Sequence, residues 1–272
     1  MFEFNKNHDV LVLFDNDGTI MDTMVSKHRY ALFPAFLEVF NIEDNDEKIL
    51  SHWMHVNLFT SRRGVNRFLA LEEIIRYLDL DLDDKEDFFL FTKNSKELSP
   101  VALKKAIEDK PNSKSLFLAY KWTIRVNEKL KELKDPQIFE NAKETLKMFA
   151  SKVDYIGVST ANRDAIIHDW KVGKVIDYFA YIGSQEDGIK SEIIKNVLNK
   201  GYKKENVVMV GDAPSDYLAA KENDIRFFPI IPSREKESLI ELREAIIKLL
   251  DHSFDDRYQQ ELLDRFNKSL IG

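Results

Sequence analysis

Five short apolar runs punctuate the chain, at residues 10–14, 155–158, 179–182, 207–210 and 226–230, and stretches of helical periodicity at 139–150, 163–172, 190–200 and 216–222 lie between them. Each run is almost uninterrupted in hydrophobicity and too short to be a typical helix. This suits strands buried on both faces of a parallel sheet, since a strand with one wet face would alternate apolar and polar residues. Such strands alternating with helices predict a doubly wound parallel sheet, an α/β core of Rossmann-like type.

One interval breaks the rhythm. From about residue 21 to 134 no strand pattern is evident, only helical periodicity, as at 28–40, 64–78 and 113–133, with Asp-rich breaks at 43–47 and 79–87. Asp135-Pro136 marks the end of this interval, because the residue before a proline is pushed out of the helical region. The expected organisation is a catalytic core at 1–20 and 136–272, with 233–272 a helical extension, and an all-helical cap domain inserted at 21–135. The extension could equally pack on the core or pair two copies of the chain.

Composition removes several alternatives. The 272 residues include no cysteine, which excludes disulfides, thiolate catalysis and cysteine-bound zinc. The formal net charge of −7 argues against a nucleic-acid surface, which is normally basic. No run approaches the roughly 20 apolar residues of a membrane span, and the first nine residues are too polar for a secretory leader. A cytoplasmic protein without a membrane partner is expected.

Four groups of residues fall at or just after the C-terminal ends of predicted strands, the edge where open parallel sheets bind ligands. The first is Asp15-Asn16-Asp17-Gly18-Thr19. Two carboxylates one residue apart at a strand end need a cation or a shared proton, although Asp-Gly is also ordinary turn chemistry. The second is Ser159-Thr160, whose hydroxyls could donate to a phosphate or cap the next helix. The third is Lys190, which could neutralise a carboxylate and a phosphate together or lie on the surface. The fourth is Gly211-Asp212 with Asp216 four residues on, where carboxylates suit a hard ion such as magnesium and Asp216 could also be a helix N-cap. In combination they supply a nucleophile, an acid/base, a hydroxyl, a cation and metal carboxylates, which is what phosphoryl transfer requires.

This ordered set resembles the four motifs of the haloacid-dehalogenase-like superfamily, with the helical insert placed like a family cap. The resemblance implies that Asp15 is the nucleophile and becomes an aspartyl-phosphate, and that Asp17 is the general acid and then the base. It implies that Ser159 and Lys190 hold the phosphoryl oxygens. Magnesium would be held by Asp15, the backbone carbonyl of Asp17, and Asp212, with Asp216 orienting Lys190 or standing behind the metal ligands. Asp17 is absent from the dehalogenase branch and replaced by a small residue in the phosphonate-cleaving branch, so its presence favours a small-molecule phosphate monoester as substrate. Asn16, polar where many relatives are apolar, and Ser191, where many have proline, depart from the common pattern. A phosphomutase on the same scaffold and a non-catalytic phosphate-binding module are the alternatives.

Within the insert, Asp22 is expected to cap the first helix or fix a hinge. Arg62 and Arg63, in the segment 60–67 read as an arginine-rich helix start, are candidate contacts to an anionic substrate group. The segment 52–57, with His52, Trp53 and His55, is the other candidate; a zinc pair there lacks an evident third ligand.

Overall fold

The computed structural model describes residues 3–42, 47–133 and 136–270. The breaks expected at 43–46 and the boundary residue Asp135 lie outside the described residues. The chain divides into two compact units, one drawn from Met1–Met24, Phe59–Arg63 and Asp135–Gly272, the other from Val25–Leu58 and Gly64–Lys134.

The first unit is built on strands β1 (Leu11–Phe14), β4 (Asp154–Val158), β5 (Tyr181–Gly183), β6 (Val207–Gly211) and β7 (Arg226–Pro229), with a two-residue pair β2 (Met21–Asp22) and β3 (Gln137–Ile138) beside them. The large sheet has the order β5-β4-β1-β6-β7 and every pairing in it is parallel. From β1 the chain builds outward through β4 to β5, then crosses back to lay β6 and β7 on the other side. The C-terminal ends of β4, β1 and β6 therefore flank a topological switch point, where such sheets hold ligands.

Period-2 alternation explains why the strands read as continuous apolar runs. Val10, Val12 and Phe14 pack on one face with Tyr155, Val208 and Val210, under the helices Glu140–Phe149, Arg163–Val172 and Glu235–Leu250. Leu11 and Leu13 pack on the other with Ile156, Val158 and Met209, under Lys190–Leu198 and Pro214–Glu222. Both faces are dry, so neither parity can be polar.

The antiparallel pair β2–β3 corrects the expectation that strands stop before residue 21. Met21 pairs with Ile138 and Asp22 with Gln137, so the chain leaves and re-enters this unit side by side. Two residues are too few to produce a periodicity signal. Asp22 is exposed in that strand, where the chain leaves the sheet unit, two residues before the first helical turn, Met24–Lys27.

The C-terminal stretch folds onto the core. Helix Glu235–Leu250 buries Leu239, Leu242, Ala245, Ile246 and Leu249, and helix Asp256–Ser269 buries Leu262 and Phe266. Strand β7 would otherwise present an open edge. Gln259 meets it as a neighbouring strand would: its Oε1 accepts from the Phe227 N–H at 2.8 Å and its Nε2 donates to the Phe227 carbonyl at 2.9 Å.

The second unit is all helical among its described residues, with helices Phe33–Val39, Glu47–Phe59, Arg67–Tyr77, Lys85–Asn94, Pro100–Asp109 and Lys114–Glu132. A π-helical turn, His28–Leu32, precedes Phe33–Val39. Pro34 cannot donate back to the Tyr30 carbonyl, which is consistent with a widened turn there. The core holds Phe33, Phe36, Trp53, Phe68 and Trp122, and the Trp122 indole N–H donates to the Leu32 carbonyl at 3.1 Å. Among the described residues no helix is long and apolar enough to cross a membrane.

Replacing Gln259 by alanine leaves both Phe227 backbone groups without that partner. It should lower the unfolding free energy by about 1–2 kcal/mol, read as a shifted urea midpoint with an unchanged slope.

Candidate active site

Register brings the charged residues together. Phe14 is level with Val210 of β6 and Gly157 of β4, and the Asp15 N–H donates to the Val210 carbonyl at 3.0 Å. Asp15, Ser159 and Asp212 thus leave three adjacent strands at nearly the same height. Gly18, at φ 74°, turns the chain back over this edge, and a Cβ there would lie 2.2 Å from Asp212 Oδ2. Only glycine combines that left-handed φ with so close an approach.

Asp15, Asp212 and Asp216 each place a carboxylate oxygen within 4.8 Å of the others, and all three side chains are buried. Lys190, the first residue of its helix, is also buried, with its ammonium 3.0 Å from Asp15 Oδ1 and 2.5 Å from Asp216 Oδ1. Asp216 Oδ2 accepts from the Ala213 N–H at 3.0 Å. Asp216 is the third residue of helix Pro214–Glu222, so it reaches back across the first turn while its other oxygen holds Lys190. Asp212 is paired with Arg63, whose Nε and Nη2 both lie 2.6 Å from Oδ2.

Three buried carboxylates face two buried cations, Lys190 and Arg63, and Glu235 lies a further 3.9 Å from the Arg63 Nη2. Burial, together with repulsion from neighbouring carboxylates, pushes the Asp15 and Asp212 carboxyls above the usual range, and Lys190 and Arg63 draw them back. Asp216 is pushed up to about 6 by burial, again against Lys190. Burial would lower the Lys190 ammonium, but Asp15 and Asp216 more than offset it and hold its pKa up. The cluster must take up a proton or a further cation. Its donors are hard oxygens, which fit magnesium-like divalent ions rather than soft metals.

Asp17 is half-buried. Its Oδ1 accepts from Thr23 Oγ1 at 2.5 Å and from Asn16 Nδ2 at 3.3 Å. Ser159 is buried, and its Oγ accepts from the Ala161 N–H at 3.2 Å. The next helix is capped instead by Asn162, which accepts from the N–H groups of Asp164 and Ala165. Ser159 therefore retains its hydroxyl hydrogen for donation, while Thr160 is exposed.

The two insert arginines separate. Segment Phe59–Arg63 groups with the sheet unit, and Arg63 is buried on Asp212 whereas Arg62 is half-buried, its N–H donating to Thr60 Oγ1 at 3.1 Å. The following helix begins only at Arg67, capped by Asn66, and Arg67 donates to Asn127 at 2.8 Å in the helical unit. His52 stacks on Tyr77 with centroids 3.4 Å apart, Trp53 is core, and His55 is exposed; among the described residues no metal-ligand cluster includes either histidine. Thr23 carried no sequence signal, and the Arg63–Asp212 pair spans a separation that spacing does not reveal.

A family model, haloacid dehalogenase-like hydrolase, matches residues 12–230. The chain belongs to this family of hydrolases. Solved structures share the fold of the hydrolase at low identity. One is a haloacid dehalogenase-like family hydrolase from Xanthomonas campestris, 14% identical, with 92% of this chain and 98% of that chain covered and a TM-score of 0.52. A protein provisionally named phosphoglycolate phosphatase from Lactobacillus delbrueckii subsp. bulgaricus is 13% identical, with coverages of 88% and 98% and a TM-score of 0.55. One provisionally named β-phosphoglucomutase from Thermotoga maritima is 19% identical, with coverages of 86% and 99% and a TM-score of 0.52. No curated protein shows significant similarity to the hydrolase.

Two predictions follow from the charge balance. Burial pushes the Asp216 carboxyl from the ordinary carboxylate range up to about 6, so its contribution to stability is present at low pH and is lost as pH rises through that window. Without added metal, the unfolding free energy of the wild type relative to Asp216→Asn should fall between pH 4 and pH 6; a rise would contradict the assignment. Arg63→Met leaves Asp212 without its buried partner and should cost about 3–5 kcal/mol, measured by denaturation in chelator, with Asp212→Asn restoring part of the loss in the double variant.

Proposed function

We propose that this hydrolase is a magnesium-dependent phosphatase that cleaves a small-molecule phosphate monoester through an aspartyl-phosphate on Asp15. The observation that carries the reading is the position of Lys190, buried between Asp15 and Asp216, at a cluster that also contains Asp212, with Ser159 buried just past the end of the neighbouring strand β4. A buried lysine tied to a carboxylate nucleophile offsets its repulsion toward an incoming phosphate dianion.

In the first step an Asp15 carboxylate oxygen attacks phosphorus as the ester oxygen–phosphorus bond breaks, and Asp17 gives its proton to the departing oxygen. In the second, Asp17 takes a proton from water as that water attacks phosphorus and releases Asp15. Ser159 donates to a phosphoryl oxygen and Lys190 neutralises the same group. Asp216 keeps Lys190 in place. Asp15, the Asp17 carbonyl and Asp212 would hold magnesium, which would supply neutralisation of the charge on the phosphate. Arg63 brings a guanidinium suited to a planar anion into the same pocket, and Arg62 is the second candidate for an anionic substrate group.

The expected result is phosphate release from p-nitrophenyl phosphate that requires magnesium, disappears in chelator, and falls by about a thousandfold or more in Asp15→Asn. Full turnover by Asp15→Asn would refute the mechanism. A phosphoenzyme that survives in water and discharges only onto a sugar phosphate would convert the reading to a phosphomutase.

A further inference from the structure

Asn16 lies between the two carboxylates assigned to the chemistry, and no step of that chemistry uses it. Its side chain is nevertheless fully buried, at 1% exposure. The Trp170 indole N–H donates to its Oδ1 at 2.6 Å. An indole nitrogen can only donate, so the amide oxygen must face Trp170 and the amide nitrogen must face the other way. That nitrogen lies 3.3 Å from Asp17 Oδ1, the oxygen that also accepts from Thr23. Two donors on one oxygen orient the plane of the carboxylate and hence the direction of its second oxygen.

Both ends of this relay are anchored. The Asn16 carbonyl accepts from the N–H groups of Ile20 and Met21, each at 3.0 Å. Trp170 lies against β4 at Gly157, where a Cβ would meet the ring at 2.5 Å, and against Phe179 at a centroid distance of 4.0 Å. The line of contact runs from the neighbouring strand through the indole and the amide to Asp17. An apolar residue at 16 would fill the space but could neither satisfy the indole N–H nor reach Asp17 as a donor.

We propose that Asn16, held in one orientation by Trp170, is a positioning residue that aims Asp17 at the leaving-group oxygen. The inference rests on the reading of Asp17 as general acid. A phenolate leaving group needs the acid's proton more than a p-nitrophenolate does, so misdirection of Asp17 should be selective for poor leaving groups, whereas a change in packing alone should not.

The test is kcat/KM for phenyl phosphate and p-nitrophenyl phosphate with magnesium, in the wild type, Asn16→Leu, Trp170→Phe and Asp17→Asn. Asn16→Leu keeps the branched shape, and Trp170→Phe keeps an aromatic ring while removing the N–H. Each should lose about tenfold more on phenyl phosphate than on p-nitrophenyl phosphate, a fraction of the roughly hundredfold or more that a general acid contributes. Circular dichroism and urea unfolding check the fold, and Trp170→Phe decides alone if Asn16→Leu does not fold. If Asp17→Asn discriminates between the esters while both positioning variants lose equally on the two, the inference fails and the reading of Asp17 stands. If Asp17→Asn does not discriminate, or the wild type releases no phosphate, that reading fails and the inference with it.

Discussion

Lys190 is a buried cation that exists only because two carboxylates face it. Its ammonium would be costly in a dry interior if it were unpaired, yet Asp15 and Asp216 more than offset that cost. The arrangement binds the three motifs into one object. Asp15 comes from the end of β1, Asp216 from the first turn of the helix after β6, and Lys190 from the start of the helix after β5. Moving any of these elements would strand a charge, so the cluster is also a constraint on the packing of the sheet unit.

The same cluster carries the chemical potential of the site. A fully neutralised set of ion pairs would be structural and inert toward a ligand. Here three buried acids face two cations, and burial, aided by repulsion between the carboxylates, raises the affinity for protons at Asp15, Asp212 and Asp216. A pocket that holds protons against its neighbours is also one in which a divalent ion would find ready oxygen ligands. Burial creates the demand for a cation, and the strand register sets where that demand is felt.

Hydrogen bonding refines what register makes coarse. The loop after β1 is held by the Asn16 carbonyl, by Gly18 turning against Asp212, and by the β2–β3 pair that follows. Asp17 is oriented within it by Thr23 and Asn16. At the opposite side of the sheet, Gln259 closes the β7 edge through the Phe227 backbone, giving the C-terminal helices a structural task that their amphipathic pattern did not disclose.

The doubly wound core was legible because hydrophobic periodicity is local: a strand buried on both faces reads as a nearly continuous apolar run, as β1 and β6 do throughout and β4 does from Tyr155 onward. Asp15, Ser159 and Asp212 were legible because each follows a strand end, a place marked by a change from apolar to polar within one or two residues, whereas Lys190 and Asp216 lie in the first turns of the helices that follow β5 and β6. Asp22, Thr23 and Arg63 were not legible in their observed places. Asp22 lies in a two-residue strand too short for any period, Thr23 has a hydroxyl like many others, and Arg63 joins Asp212 across 149 positions. Asn16 stood out in sequence as polar where apolar residues are common, but its partner Trp170 was indistinguishable from any core aromatic on a helix face. The sequence by itself determined the five strands of the large sheet, the helices between them and which residues can carry charge to the sheet edge, because those properties depend on neighbours in the chain. Tertiary structure decided which charges meet and which way Asp17 and Asn16 face, because hydrogen bonds and ion pairs depend on distances that only the packed chain sets.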